Sequence, residues 1–173
     1  MEGMFLNETK MIANYTDSPN TSNVTDMRQM FRGCSKFNGE VNFDTSNVTD
    51  MSYMFYGCSE FNQKVNFNTQ NVTTMTIMFR GCTKFNQEVD FNSSNVTTME
   101  QMFSACLALV IPIKLDTSSV TNIQYMFNGT TPPQQSFASW DVTSLARGGG
   151  FIPSSGDINE PGNTNNYDDT LIS

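Results

Sequence analysis

Four cysteines, Cys34, Cys58, Cys82 and Cys106, stand 24 residues apart. Thiols at a fixed interval could bind zinc, pair as disulfides or act as nucleophiles. Zinc is poorly served, because each copy of the pattern supplies a single cysteine and the chain contains no histidine. No Gly-rich phosphate loop follows a strand pattern, and nothing else resembles a catalytic constellation. The carboxylates Asp26, Glu40, Asp44 and Asp50 recur with the same interval and read as capping or solvated groups. Asp44, Asn68, Asn92 and Asp116 would offer calcium its oxygen ligands, but at one per copy they make a weak set. The expectation is therefore a non-enzyme with no catalytic residue, no metal and no cofactor, whose thiols are buried and free.

The elements that would hold those thiols come from the repeat. Asn47 to Phe67 reads NVTDMSYMFYGCSEFNQKVNF, and Asn23 to Phe43 and Asn71 to Phe91 match it at most positions. A fourth copy from Asn95 changes its second half to CLALVIPIKL, and a fifth from Ser119 keeps only SVTNIQYMFNGT. A fixed period in the twenties marks a solenoid, in which each copy buries its apolar face against its neighbours. Val48, Met51, Met54, Phe55 and Cys58 fall on one helical stripe, with Thr49 as N-cap and Gly57 placed to end the helix. Val65 and Phe67 alternate with Lys64, Asn66 and Asn68 in the manner of a half-buried strand. These patterns predict an α/β repeat solenoid of leucine-rich-repeat-like coils, with a parallel sheet on the concave side and short helices on the convex side. Paired strands repeat about every 4.8 Å and packed helices need roughly 8 to 10 Å, so the helices are expected on the outer arc. At that spacing neighbouring cysteines would exceed the roughly 4.4 to 6.8 Å between Cα atoms that a disulfide tolerates.

Along the chain, residues 1–22 read as a partial, irregular first copy. There Met1, Met4 and Phe5 align with Met27, Met30 and Phe31 at an offset of 26. Residues 23–130 hold the regular copies. Residues 131–153 read as a capping segment carrying Phe137, Trp140, Val142 and Leu145, and residues 154–173 as a flexible tail rich in Gly, Asn, Asp and Ser. Gly148, Gly149 and Gly150 read as a flexible link, and Val110 and Ile111 as a platform on which residues 137–152 dock. No signal-peptide pattern and no apolar span long enough for a membrane helix occurs in the sequence. The 12 methionines and 14 phenylalanines mostly occupy the inward positions of the repeat, which makes them core rather than binding surface.

The stretch SNVTDMSYMFYGCSEFN, with its Met-x-x-Met-Phe core, Gly-Cys and following Phe-Asn, resembles the repeat of the BspA-like leucine-rich repeat surface proteins, including their mycoplasma-type branch. The resemblance spans about Ser22 to Leu145, and several positions match at a fixed offset in successive copies. Phe and Val stand where many leucine-rich repeats have Leu, so the likeness rests on the Met-x-x-Met-Phe half. NNYDDTLIS, Asn165 to Ser173, resembles the segment that often follows the last repeat in such proteins. The resemblance implies an extracellular or cell-surface location and a role in adhesion to host or matrix.

A net charge of -8 and a pI near 4.3 argue against nucleic acid or an anionic membrane as partner. A protein or glycan ligand at the cell surface fits better, bound by a chain that is not embedded in the membrane. On the expected concave face stand Glu40, Lys64 and Glu88 in one row and Asn42, Asn66, Asp90 and Lys114 in the next. On the convex face stand Tyr53, Tyr56, Ile77 and Tyr125, aromatic and apolar side chains that hint at an interface. The recurring Asn-Val-Thr tripeptides match glycosylation sequons, but an asparagine bridging to the backbone of a neighbouring coil explains them without modification. The expected function is non-catalytic recognition or adhesion. The alternative is a structural or self-assembly segment of a larger surface protein, associating through an uncapped N-terminal coil.

Overall fold

A computed structural model describes residues 2–7, 19–130, 140–141 and 143–148. Among these residues there is no α-helix, and strand pairing is confined to isolated parallel bridges, which overturns the α/β solenoid of helices and sheet. The helical stripe is built from overlapping turns instead. From Met51 to Cys58, the amides of Met54, Tyr56 and Cys58 donate three residues back, to the carbonyls of Met51, Tyr53 and Phe55. Those of Met51, Tyr53, Phe55 and Gly57 donate instead to Thr74, Thr76, Met78 and Arg80 in the following coil. Ser52 N–H donates to the Asp50 side chain at 2.8 Å. The carbonyls of residues 50–57 are also all engaged, so this backbone is satisfied without a single helical bond. The segments Met27–Cys34 and Met75–Cys82 repeat the scheme.

The physical reason is visible in the backbone. Gly33, Gly57, Gly81 and Gly129 have φ between 70° and 77°, and so, less comfortably, Gln29, Tyr53, Ile77, Gln101 and Tyr125 lie between 53° and 61°. A left-handed residue at every fourth position cannot belong to a right-handed helix. Apolar spacings of three, Met51 to Met54, Phe55 to Cys58 and Cys58 to Phe61, suit a chain of turns closed three residues back as well as they suit a helix. Composition then decides: Asn-Val-Thr-Thr-Met-Thr-Ile is poor in strong helix formers and rich in β-branched residues.

Coils stack in parallel. Bridges run Asp26 to Asp50, Thr74, Thr98, Asn122 and Arg147 in succession. Beside them Thr49, Thr73, Thr97 and Thr121 each donate a hydroxyl to the threonine carbonyl one coil earlier, at 3.1 to 3.2 Å. Inside, Phe31, Phe55, Phe79, Phe103 and Phe127 form a column of near-parallel rings spaced 5.4 to 5.7 Å. Phe37, Phe61 and Phe85 form a second, at 5.7 and 6.1 Å. In the expected strand, Val65 and Phe67 are buried while Lys64, Asn66 and Asn68 are exposed, so the alternation is present. Among the described residues, however, bridge pairing in this segment occurs only between Asp90 and Lys114. Phe67 and Phe91 lie 6.4 Å apart here, so it is the rings of the turn segment, expected to be the outer arc, that stack more closely, at 5.4 to 5.7 Å.

The incomplete copies join the same stack. Gly3, Phe5 and Asn7 donate to the carbonyls of Arg28, Met30 and Arg32, at the expected offset of 26 from their counterparts, with Phe5 stacked on Phe31 at 5.4 Å. At the other end Trp140 and Leu145 are buried, and the Ala146 and Arg147 amides donate to Thr121 O. The described part of the capping segment is thus the front of a sixth coil, in which Gly148 is buried rather than part of a loose link. The bridge from Asn122 to Arg147 spans 25 residues, one more than its predecessors. Thr117 Oγ1 is left buried without a partner just there, whereas Thr45 and Thr69 donate to the coil ahead. Val110 is exposed and Ile111 half-buried. Most of residues 137–152, expected to dock on them, and all of residues 154–173 lie outside the described residues.

Candidate functional site on the turn face

The groups with reactive potential are occupied by architecture. All four cysteines are buried and free. Each thiol donates to a phenylalanine carbonyl in the coil before it: Cys34 to Phe5, Cys58 to Phe31, Cys82 to Phe55 and Cys106 to Phe79, at 2.8 to 3.1 Å. The fifth copy has Thr130 in this place, and its hydroxyl donates to Phe103 O at 2.6 Å. A column position filled by Cys or Thr is one that needs a small buried donor. Burial pushes the thiols of Cys58, Cys82 and Cys106 well above their ordinary pKa, so they stay protonated and poorly nucleophilic.

The oxygen atoms that suggested calcium are also engaged. Asp44, Asn68, Asn92 and Asp116 each accept the amide two residues on, from Ser46, Gln70, Ser94 and Ser118, closing a turn at the coil corner. Hydroxyl and amide donors from Ser46 and Ser118 hold the Asp44 and Asp116 carboxyls below the usual range. Among the described residues no group of three acidic, cysteine or histidine side chains could hold a metal. The sequon asparagines behave as expected, with Asn47, Asn71 and Asn95 each donating Nδ2 to a backbone carbonyl of the preceding coil at 2.7 Å. Asn38, Asn62 and Asn86, the asparagines of Phe-Asn, accept amides of the following coil.

Two solvent-facing regions remain. Glu40, Asn42, Lys64, Asn66, Glu88, Asp90 and Lys114 are all exposed, and Lys64 pairs with Glu88 at 3.4 Å. That pair ties two expected ligand-binding side chains to each other. On the turn face Tyr53 and Tyr56 are half-buried with their rings edge to face at 6.2 Å. Tyr125, three coils away, is 43% exposed. Ile77 is only 8% exposed and belongs more to the core than to a contact surface.

Two side chains that sequence reasoning passed over complete this face. Arg32 and Arg80 hold the same position as Tyr56, one coil before it and one coil after. The Arg32 guanidinium lies 5.9 Å from the Tyr53 ring centre and 5.4 Å from that of Tyr56, and Arg80 lies 5.9 Å from Tyr56 on the other side. Each arginine also donates to a glutamine side chain, Arg32 to Gln29 and Arg80 to Gln101. Reading the sequence in columns at the 24-residue period would have exposed the Arg-Tyr-Arg sequence. By contrast Arg28, on the same face, is bound to Asp26 at 2.7 Å and lies within ion-pair distance of Glu2 and Asp50.

A family model described as "Mycoplasma protein of unknown function, DUF285" matches residues 1–110 and again residues 65–167. The two matches overlap over residues 65–110, as a repeating chain allows. No curated protein and no solved structure matches the chain.

Proposed function

Because the chain belongs to the DUF285 family of Mycoplasma proteins of unknown function, we propose that it is a non-catalytic recognition module at the cell surface, binding protein or glycan with side chains displayed on stacked coils. The observation that supports this most is internal to the chain. Buried columns hardly change from copy to copy: Met27, Met51, Met75 and Met99 in one, Phe31, Phe55, Phe79, Phe103 and Phe127 in another. Neighbouring columns on the turn face change chemistry at every step, Gln29, Tyr53, the buried Ile77, Gln101, Tyr125 and Arg32, Tyr56, Arg80, the buried Ser104, Asn128. A uniform scaffold carrying a varied surface suits recognition, as in other repeat arrays. The resemblance of SNVTDMSYMFYGCSEFN to BspA-like surface repeats supports the same reading and carries the adhesive role and the location.

Among the described residues no helix is long and apolar enough to cross a membrane. The test is binding of the purified chain to arrays of glycans and matrix proteins, with sedimentation run beside it. Saturable binding that concentration-dependent self-association does not explain is the expected result. Self-association with no binding to either array would overturn the reading in favour of an assembly segment.

A further inference from the structure

We propose that the turn face around Tyr56 is the ligand site, and that it takes an anionic saccharide whose sulfate or carboxylate groups are held by Arg32 and Arg80 while a sugar ring lies against the tyrosines. This rests on the recognition reading above and names the site and ligand class within it.

Three observations carry it. First, among the described residues Arg28, Lys64 and Lys84 have carboxylate partners, Asp26, Glu88 and Glu60, whereas no carboxylate lies within ion-pair distance of Arg32 or Arg80, as also of the scattered Lys36, Lys114 and Arg147. In a chain of net charge -8, two guanidiniums left without carboxylates around one ring stand out. Each guanidinium carries five N–H donors, and the one side-chain bond that each makes, to a glutamine, leaves several for a ligand. Planar guanidinium suits the paired oxygens of carboxylate and sulfate.

Second, the backbone of this face has nothing to offer. The Met51–Cys58 amides and the carbonyls of residues 50–57 are all engaged within and between coils. An extended peptide therefore cannot add itself by backbone pairing, the usual source of affinity for such ligands. What remains is side-chain recognition by rings and guanidiniums. The flat C–H face of a pyranose meets that demand, since the Tyr ring is both apolar and rigid.

Third, the site is held in place. Tyr53 sits at φ 61°, fixed by turn bonds on both sides, and the arginines are braced by Gln29 and Gln101. Little side-chain ordering would remain to oppose binding. Repulsion from the rest of the acidic chain is screened beyond about 8 Å at physiological salt, so the two nearby cations dominate.

The experiment titrates the full chain by calorimetry with four probes: a sulfated glycosaminoglycan octasaccharide, a hyaluronan octasaccharide, neutral dextran and polyglutamate. Tested beside it are an Arg32→Gln, Arg80→Gln double variant, a Tyr56→Leu variant and a Lys64→Gln, Lys114→Gln control, each checked for an unchanged melting transition. The expected result is binding to one or both anionic saccharides, weakened by added salt, at least ten-fold weaker in the arginine variant and unchanged in the lysine control. Tyr56→Leu should weaken it several-fold with the salt dependence retained. Equal binding of polyglutamate would overturn the saccharide assignment, and loss in the lysine control alone would move the site to the other face. If matrix proteins bind but no anionic saccharide does, this inference fails while the recognition role stands. If nothing binds, both fail.

Discussion

The segments Met51–Cys58 and Lys64–Phe67 bury side chains with equal regularity, yet their backbones are held in different ways. In the first, every amide is placed, half of them in the following coil, and Phe55 stands between Phe31 and Phe79 at 5.4 Å on either side. In the second, Val65 and Phe67 are buried by alternation, with no bridge to either neighbouring coil. The corner asparagines and threonines, Asn62 accepting from Asn86 and Thr69 donating to Asn92, supply the coil-to-coil polar contacts flanking this side. Burial pattern and hydrogen-bond pattern are thus separable properties. Rigidity, and with it a fixed array of surface side chains, belongs to the turn face.

The strongest way to break that comparison is to remove one ring from each side. Phe55 is fully buried and touches rings in its own coil and in both neighbours, at 4.3 Å for Phe61 and 5.4 Å for Phe31 and Phe79. Phe67 is 7% exposed, with Phe55 and Phe91 each 6.4 Å away. Phe55→Ala should fall at the upper end of the roughly 3–5 kcal/mol that such truncations cost, and Phe67→Ala at or below the lower end. Urea unfolding of both variants measures the difference. Equal losses would show that the two sides are packed alike and that the backbone ladder adds no order to the core.

The second comparison lies within the turn face. Gly81 has φ 76°, and a Cβ added there would meet the Gly57 Cα at 3.6 Å, ordinary contact distance. The obstacle to Gly81→Ala is therefore conformational, about 1–2 kcal/mol. The fourth copy already carries that burden, since Ala105 holds the same place at φ 57°. Ala105→Gly should return about 1 kcal/mol or less, the difference being the freedom that glycine gains in the unfolded chain. Thermal unfolding of the pair reads both signs. A stabilising Gly81→Ala would mean that the left-handed turn is not maintained in solution.

Those left-handed positions also mark where the sequence could and could not be read. The 24-residue period, the inward Met, Phe and Val, the free thiols and the bridging asparagines were legible, because each follows from which side chains recur. The secondary structure was not, since a spacing of three is shared by turns and by the helix, and only the direction of each amide separates them. Gly57, which its spacing places at the end of a helix, is one of two left-handed residues in a run of turns, with Tyr53 the other. The arginines were overlooked for a related reason. Arg32 and Arg80 are 48 positions apart, and their convergence on Tyr56 appears only when coils are laid side by side.

The smallest effect expected concerns the corners that join the two faces. Asp44, Asp116 and Asp141 each accept a hydroxyl and a backbone amide from the residue two ahead or, for Asp44, the backbone amide of Ser46 in the same geometry. Their carboxyls lie below the ordinary range, and the side-chain donors of Ser46, Ser118 and Thr143 are the largest cause. A folded-state pKa below the unfolded value stabilises the fold above the ordinary aspartate pKa, near 3.9, and that contribution is lost as pH falls through the lowered one. Solvent exposure at these corners keeps the gain small, and Asn20, Asn68 and Asn92 close the same turn without a charge. Replacing the three aspartates by asparagine should therefore leave stability at neutral pH almost unchanged while flattening part of its decline below about pH 4. Asp26 and Glu60, lowered chiefly by their bonds to Arg28 and Lys84, keep the rest of that decline in place. Denaturation midpoints measured from pH 2 to 7 decide it, and an acid limb identical to that of the parent chain would show that the corner carboxyls are not engaged in solution.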